Sequence, residues 1–214
     1  MKIAIPAGLT RSLISKAMQN KLWEKGDRAL YEFCRREPRH NDISSTVPKL
    51  WLIGRSYAAP IERGAGGGDL DKIYSEAAIK LKKSRLDEKL SRLKPSDHPD
   101  CELALGIHNL VIGCLPDKNG YSKCRRSVAS KYLHFHRPEQ FVLFDSRAKS
   151  AVAKFFVLEK NDIWPKITAD RQYYAFVQKC EAIKVEIAEK FDIQLTNKEL
   201  DKVLLRFSKH SQKA

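Results

Sequence analysis

The chain is expected to fold as an all-α helical bundle, and three observations lead there. Apolar residues recur at helical spacing in nearly every long segment. Capping residues and prolines stand at the ends of those segments. The one run with strand propensity, Phe141 to Phe144, has no second run to pair with, and a lone strand is not stable.

In chain order, the first helix is expected from about Thr10 to Leu22, with Leu13, Ile14, Ala17 and Met18 on one face. A second runs from Trp23 towards Arg36 and stops before Pro38. A third follows Pro48, and its small residues Gly54, Ala58 and Ala59 invite close approach by a neighbour. Gly64 and Gly66 to Gly68 then break the chain, and this glycine-rich stretch is the best internal hinge. Residues 1–214 are nonetheless read as one domain of up to two lobes, because the N-terminal helices are apolar enough to need packing against the rest.

Asp69 caps a long helix to about Leu93, whose apolar positions keep helical register with one slip. Its polar side carries Lys82, Lys83 and Arg85 among other cations. Cys101 to Cys114 is nearly all apolar and reads as a buried central helix, so His108 on it reads as a core histidine. A turn, Leu115 to Gly120, leads into a helix that ends near His136 before Pro138. Phe141–Phe144 is read as an extended connector plugged into the core. Asp145 then starts a helix to about Leu158, and two more follow, about Ala169–Phe191 and Thr196–Phe207, the last with a Thr196/Glu199 capping box.

Composition narrows the function. A 43% hydrophobic content excludes a disordered chain. The formal charge of +14 favours a polyanionic partner, since each neutralised phosphate releases counterions. The cysteines are five in number and form no CxxC pair, which argues against a disulfide scaffold or zinc ribbon and for a reducing cytoplasm. No apolar run of about 18 residues exists, so neither a membrane span nor a standard secretion signal is expected.

The most informative stretch is Tyr121–Arg147, YSKCRRSVASKYLHFHRPEQFVLFDSR. From Tyr121 to Arg137 it holds Lys123, Arg125, Arg126, Lys131 and Arg137 and no acid. Lys123, Ser127 and Lys131 share one helix face, while Val128, Tyr132 and Phe135 lie on an inward face. The basic face reads either as solvated surface or as a phosphate contact that includes Arg125, Arg126, Ser127 and, beyond the connector, Arg147. A lysine there with a lowered pKa could also attack an electrophilic sugar carbon. Asp145 serves as an N-cap whatever else it does. Held at a cleft edge, it could in addition stabilise an oxocarbenium-like sugar. Trp51, Tyr57 and Trp164 read as core residues or as platforms for an extruded base. His134 and His136, two apart, face different ways on a helix, so no metal site is expected.

The order of turn, helix, apolar connector and Asp at a helix start resembles the helix-hairpin-helix DNA glycosylase superfamily. The wording SVASKYLHF…FVLFDSRA is similar to the small bacterial 8-oxoguanine-glycosylase-fold proteins, some associated with antiphage defence. WLIGRSYAAPIERG and NKELDKVL fit the same group. The resemblance implies an all-α, two-lobed fold and a hairpin that grips DNA, duplex with an extruded base or single-stranded. It also implies removal of a modified purine, with or without AP-lyase activity, no cofactor, and Asp145 as the essential carboxylate. The turn departs from the usual LPGVGTK hairpin. One register makes Lys123 the catalytic lysine. A second, counted back from Asp145, puts Ser127 there and leaves Lys131 as the alternative amine on that face. A catalytically inactive nucleic-acid-binding module, or a protein-interaction subunit of a defence complex, is the competing expectation.

Overall fold

In a computed structural model, residues 3–117, 122–156 and 170–210 are described. They form eleven helices: α1 Arg11–Met18, α2 Glu24–Arg36, α3 Ile43–Ser56, α4 Glu62–Ala65, α5 Leu70–Lys83, α6 Leu86–Arg92, α7 Glu102–Cys114, α8 Ser122–His136, α9 Ser146–Ala153, α10 Arg171–Phe191 and α11 Asn197–His210. Among the described residues there is no strand, only an isolated bridge between Ile3 and Phe156. The chain is thus all-α, and among these residues no helix is long and apolar enough to cross a membrane.

Most helix starts follow from local chemistry. Thr10, Asp42, Asp69, Asp145 and Asp170 each accept a hydrogen bond from a backbone N–H of the first turn. At α11, Thr196 and Glu199 form the reciprocal capping box, with bonds of 2.9 and 3.2 Å. Helix α1 ends at Met18 instead of near Leu22 and α9 at Ala153 instead of near Leu158, and two further boundaries differ from the sequence expectation. Helix α3 begins at Ile43, not after Pro48, because the Asp42 cap starts it early and Pro48 is carried inside its second turn. The expected long helix from Asp69 is broken in two. Arg85 adopts a left-handed backbone, φ 57°, and that kink absorbs the slip in the apolar register.

The buried side chains form two clusters. One gathers Leu50, Ile53, Leu81, Leu86, Ile107, Tyr132 and Phe141 among residues of α2, α3 and α5–α8. The other gathers Ile14, Phe144, Val152, Tyr173, Ile183 and Leu204, chiefly from α1 and α9–α11. Phe141 belongs to the first cluster, and Val142 and Phe144 to the second, so the connector runs along the seam between them.

A buried extended segment needs partners for its peptide groups. Three side chains supply them. His134 Nδ1 meets the Phe141 carbonyl at 2.7 Å, the Tyr173 hydroxyl donates to the Val142 carbonyl at 3.1 Å, and Phe144 N–H donates to Ser130 Oγ at 3.1 Å.

The glycine-rich stretch holds a tight contact. A Cβ added to Gly64 would lie 2.6 Å from the Pro116 carbonyl oxygen, in the segment that enters α8. Backbone cannot swing aside as a side-chain tip can, so Gly64→Ala is expected to cost about 1–3 kcal/mol in a denaturant titration. The neighbouring Gly67, with a left-handed φ of 89°, has open space around its Cβ position and makes the comparison site.

Candidate active site

The connector and α8 are locked together one residue short of the site on each strand of chain. Ser130 Oγ, which receives Phe144 N–H, also donates to the Ser127 carbonyl at 3.1 Å. The next residue on α8 is Lys131, and the next on the connector is Asp145. Asp145 Oδ1 accepts the Ala148 N–H at 2.8 Å and caps α9, and the residue is only partly exposed.

Lys131 is not on a solvated basic face. It is 4% exposed, and every residue from Val128 to His136 is buried, because α8 packs against α2, α3, α4 and α7. Its Nζ donates to the Tyr57 carbonyl at 3.0 Å. Burial lowers its pKa, and the Asp145 and Asp201 carboxylates work against that, while Arg147 and Arg63 add to it. Tyr57 sits at the C-terminal end of α3, and the following Ala58 has a left-handed φ of 51°, a conformation that costs a non-glycine residue energy.

Asp201, on α11, completes the group and was not singled out from the sequence. It is 7% exposed, and burial drives its carboxyl up from 3.8 to about 7. Lys198 and Lys131 oppose the rise, and Asp145 and Asp27 reinforce it. A signal for it did exist. Asp201 lies on the apolar stripe of α11 with Leu200, Leu204 and Phe207, where an acid is costly unless it has a task.

A second polar network borders the first. Lys198 Nζ lies 3.1 Å from Asp27 Oδ2, contacts the Tyr57 hydroxyl, and stands 4.7 Å over the Tyr57 ring. The Tyr57 hydroxyl donates to Asp27. Tyr31 Oη lies 2.6 Å from His134 Nε2. Because His134 Nδ1 faces a carbonyl it must donate there, so Nε2 accepts from Tyr31. Burial holds the His134 imidazole neutral by lowering its pKa to about 4. Between α2 and α11 this network floors a surface depression of about 270 Å³, lined in part by Asp27, Tyr31 and Lys198.

The structure therefore brings Lys131, Asp145 and Tyr57 together and adds Asp201. The Lys123 side chain and Trp164 lie outside the described residues. Two arginines expected on a DNA-facing surface are engaged within the protein. Arg126 is 5% exposed, pairs with Asp170 at 2.7 Å and lies 5.5 Å over the Phe144 ring. Arg125 pairs with Asp117. Ser127 is partly exposed and Arg147 is exposed. Lys82, Lys83 and Arg85 are solvent-facing on α5 and at its break. Trp51 is 46% exposed rather than a core residue.

His108 is a core residue, stacked 3.6 Å from Tyr173, with burial taking its pKa down to about 3. Among the described residues, no three His, Cys, Asp or Glu side chains are arranged to hold a metal ion. What the site offers is a buried amine of lowered basicity beside two carboxylates, one of which carries a proton near neutral pH. The chain matches no protein-family model, no curated protein and no solved structure at a significant level.

Proposed function

We propose that the chain is a DNA N-glycosylase-like protein that removes a modified purine, of the 8-oxoguanine type or related, in cytoplasmic repair or antiphage defence. The proposed architecture is a two-lobed helix-hairpin-helix bundle whose lobes meet at the Lys131–Asp145 seam. The single observation that carries the reading is the buried Lys131, which feels the charges of Asp145 and Asp201 on a helix that the Ser130–Phe144 bond ties to the connector. A buried lysine with a depressed pKa is the form of amine that acts as a nucleophile.

In this reading the Asp145 carboxylate stabilises positive charge at C1′ as the glycosidic bond lengthens. The Lys131 lone pair forms the new N–C1′ bond, and the electron pair of the broken bond leaves with the base, which takes up a proton. Asp201, which holds a proton near neutral pH, gives it to the leaving base, and the surplus proton of the attached amine then passes to the resulting Asp201 carboxylate. Opening of the sugar ring then gives the Schiff base from which a lyase step proceeds. The exposed cations of α5 and its break, together with Arg147, meet the phosphates.

One observation favours a second reading, a catalytically inactive nucleic-acid-binding or protein-interaction module. Lys131 is covered and its ammonium is already bonded to the Tyr57 carbonyl, which is also what a structural lysine does. A panel of duplex and single-stranded oligonucleotides with oxidised, alkylated and deaminated bases decides between them. Base release from a member of the panel supports the glycosylase. Tight binding with no release from any member supports the module.

A further inference from the structure

The most exposed large apolar side chains of the described residues are adjacent. Leu22 is 76% and Trp23 is 73% exposed, at the turn between α1 and α2. The turn is ordered by its own chemistry, since the Asn20 side chain accepts the Leu22 N–H at 3.1 Å. Neither residue contributes to the two core clusters, so the fold does not account for them. Lys21, Lys25 and Arg28 beside them are exposed as well.

The depression between α2 and α11 opens next to this turn, lined by Glu24, Arg28, Arg35, Lys198 and Lys202 among others. Of its acids, Asp27 is held by Lys198 and Glu32 by Arg35 and Arg36. Glu24 is the remaining acid of the lining against Arg28 and Lys202, so the depression is net positive and begins one residue from the Trp23 indole.

We propose that the α1–α2 turn is a second nucleic-acid contact, in which Trp23 stacks on an unpaired base and Lys21, Lys25 and Arg28 meet the flanking phosphates. Charge complementarity selects this occupant, because a positive rim around a flat π-face suits a base bracketed by phosphates. An acidic protein segment would use the cations and leave the indole bare. A lipid surface would be met by apolar groups spread along a helix face, and here they are two residues at one turn. The contact stands apart from the Lys131 seam and does not depend on base excision.

The test is the affinity of the full chain for an unmodified fluorescein-labelled oligothymidylate of about 16 nucleotides at several salt concentrations. Trp23→Ala is expected to weaken binding about 5- to 100-fold. Lys21→Ala with Lys25→Ala is expected to reduce the salt slope by about 1.4, two phosphates' worth for a single strand. Both sites are exposed, so the variants keep the fold. Affinity within about two-fold of wild type for Trp23→Ala would overturn the proposal. So would a loss of binding to phosphatidylserine vesicles in that variant while oligonucleotide binding is kept.

Discussion

Asp145→Asn is expected to lower base release by about 10²- to 10³-fold while leaving stability nearly unchanged. The two roles of this residue separate cleanly in that variant. As a cap, Asp145 accepts the Ala148 N–H through one oxygen, and asparagine caps a helix about as well, so the cost should stay below about 1 kcal/mol. As a stabiliser of cationic sugar it needs the negative charge, which asparagine lacks. Asp145→Ala is the complement, losing both charge and cap, with about 1 kcal/mol of stability. Single-turnover rates and denaturant midpoints read the two effects independently. If Asp145→Asn keeps the wild-type rate, the carboxylate is a cap and nothing more.

Asp201→Asn is expected to make the protein more stable at pH 8 and to flatten its pH dependence. The sign follows from the direction of the shift. Burial raises the folded-state value from 3.8 to about 7. The folded state therefore holds a proton that the unfolded chain has released. The stabilisation of the protonated carboxyl is fully present below about pH 4 and is lost as pH climbs through about 7. The shift of roughly three units at about 1.4 kcal/mol each sets a ceiling on the order of 4 kcal/mol. The buried His108, His134 and His136 have depressed values and titrate in the opposite sense below about pH 6.5. They are common to both proteins, so the wild-type minus variant difference between pH 5 and pH 8 isolates Asp201. Parallel pH profiles for the two proteins would show that Asp201 is ionised throughout and is not the buried proton carrier described above.

Helices were legible in this chain wherever caps and apolar spacing agree. Asp69, Asp145 and the Thr196/Glu199 box all start helices as their chemistry dictates. Phe141–Phe144 was readable as a plugged connector because a four-residue apolar run without a partner has few other fates. The break at Arg85 was visible only as a slip in register, since a left-handed arginine leaves no compositional mark.

The site divides in the same way. Asp145 was legible because its position at a helix start is local information. The burial of Lys131 and Arg126 and the pairing of Arg125 were not, because the identity of a helix's neighbours is a tertiary fact. A basic helix sheathed on several sides reads in sequence like a basic helix in water. Asp201 was legible in principle, as an acid on an apolar stripe. Its meaning came only from the two lysines that the fold places around it.

The most direct test of Lys131 as the nucleophile is borohydride trapping on duplex DNA that carries a modified purine or the abasic site left by its removal. The crosslinked residue is then mapped by mass spectrometry. A covalent adduct on Lys131 is expected, one that survives Lys123→Gln and disappears in Lys131→Gln. An adduct on any other lysine, or base release at the wild-type rate in Lys131→Gln, would contradict it.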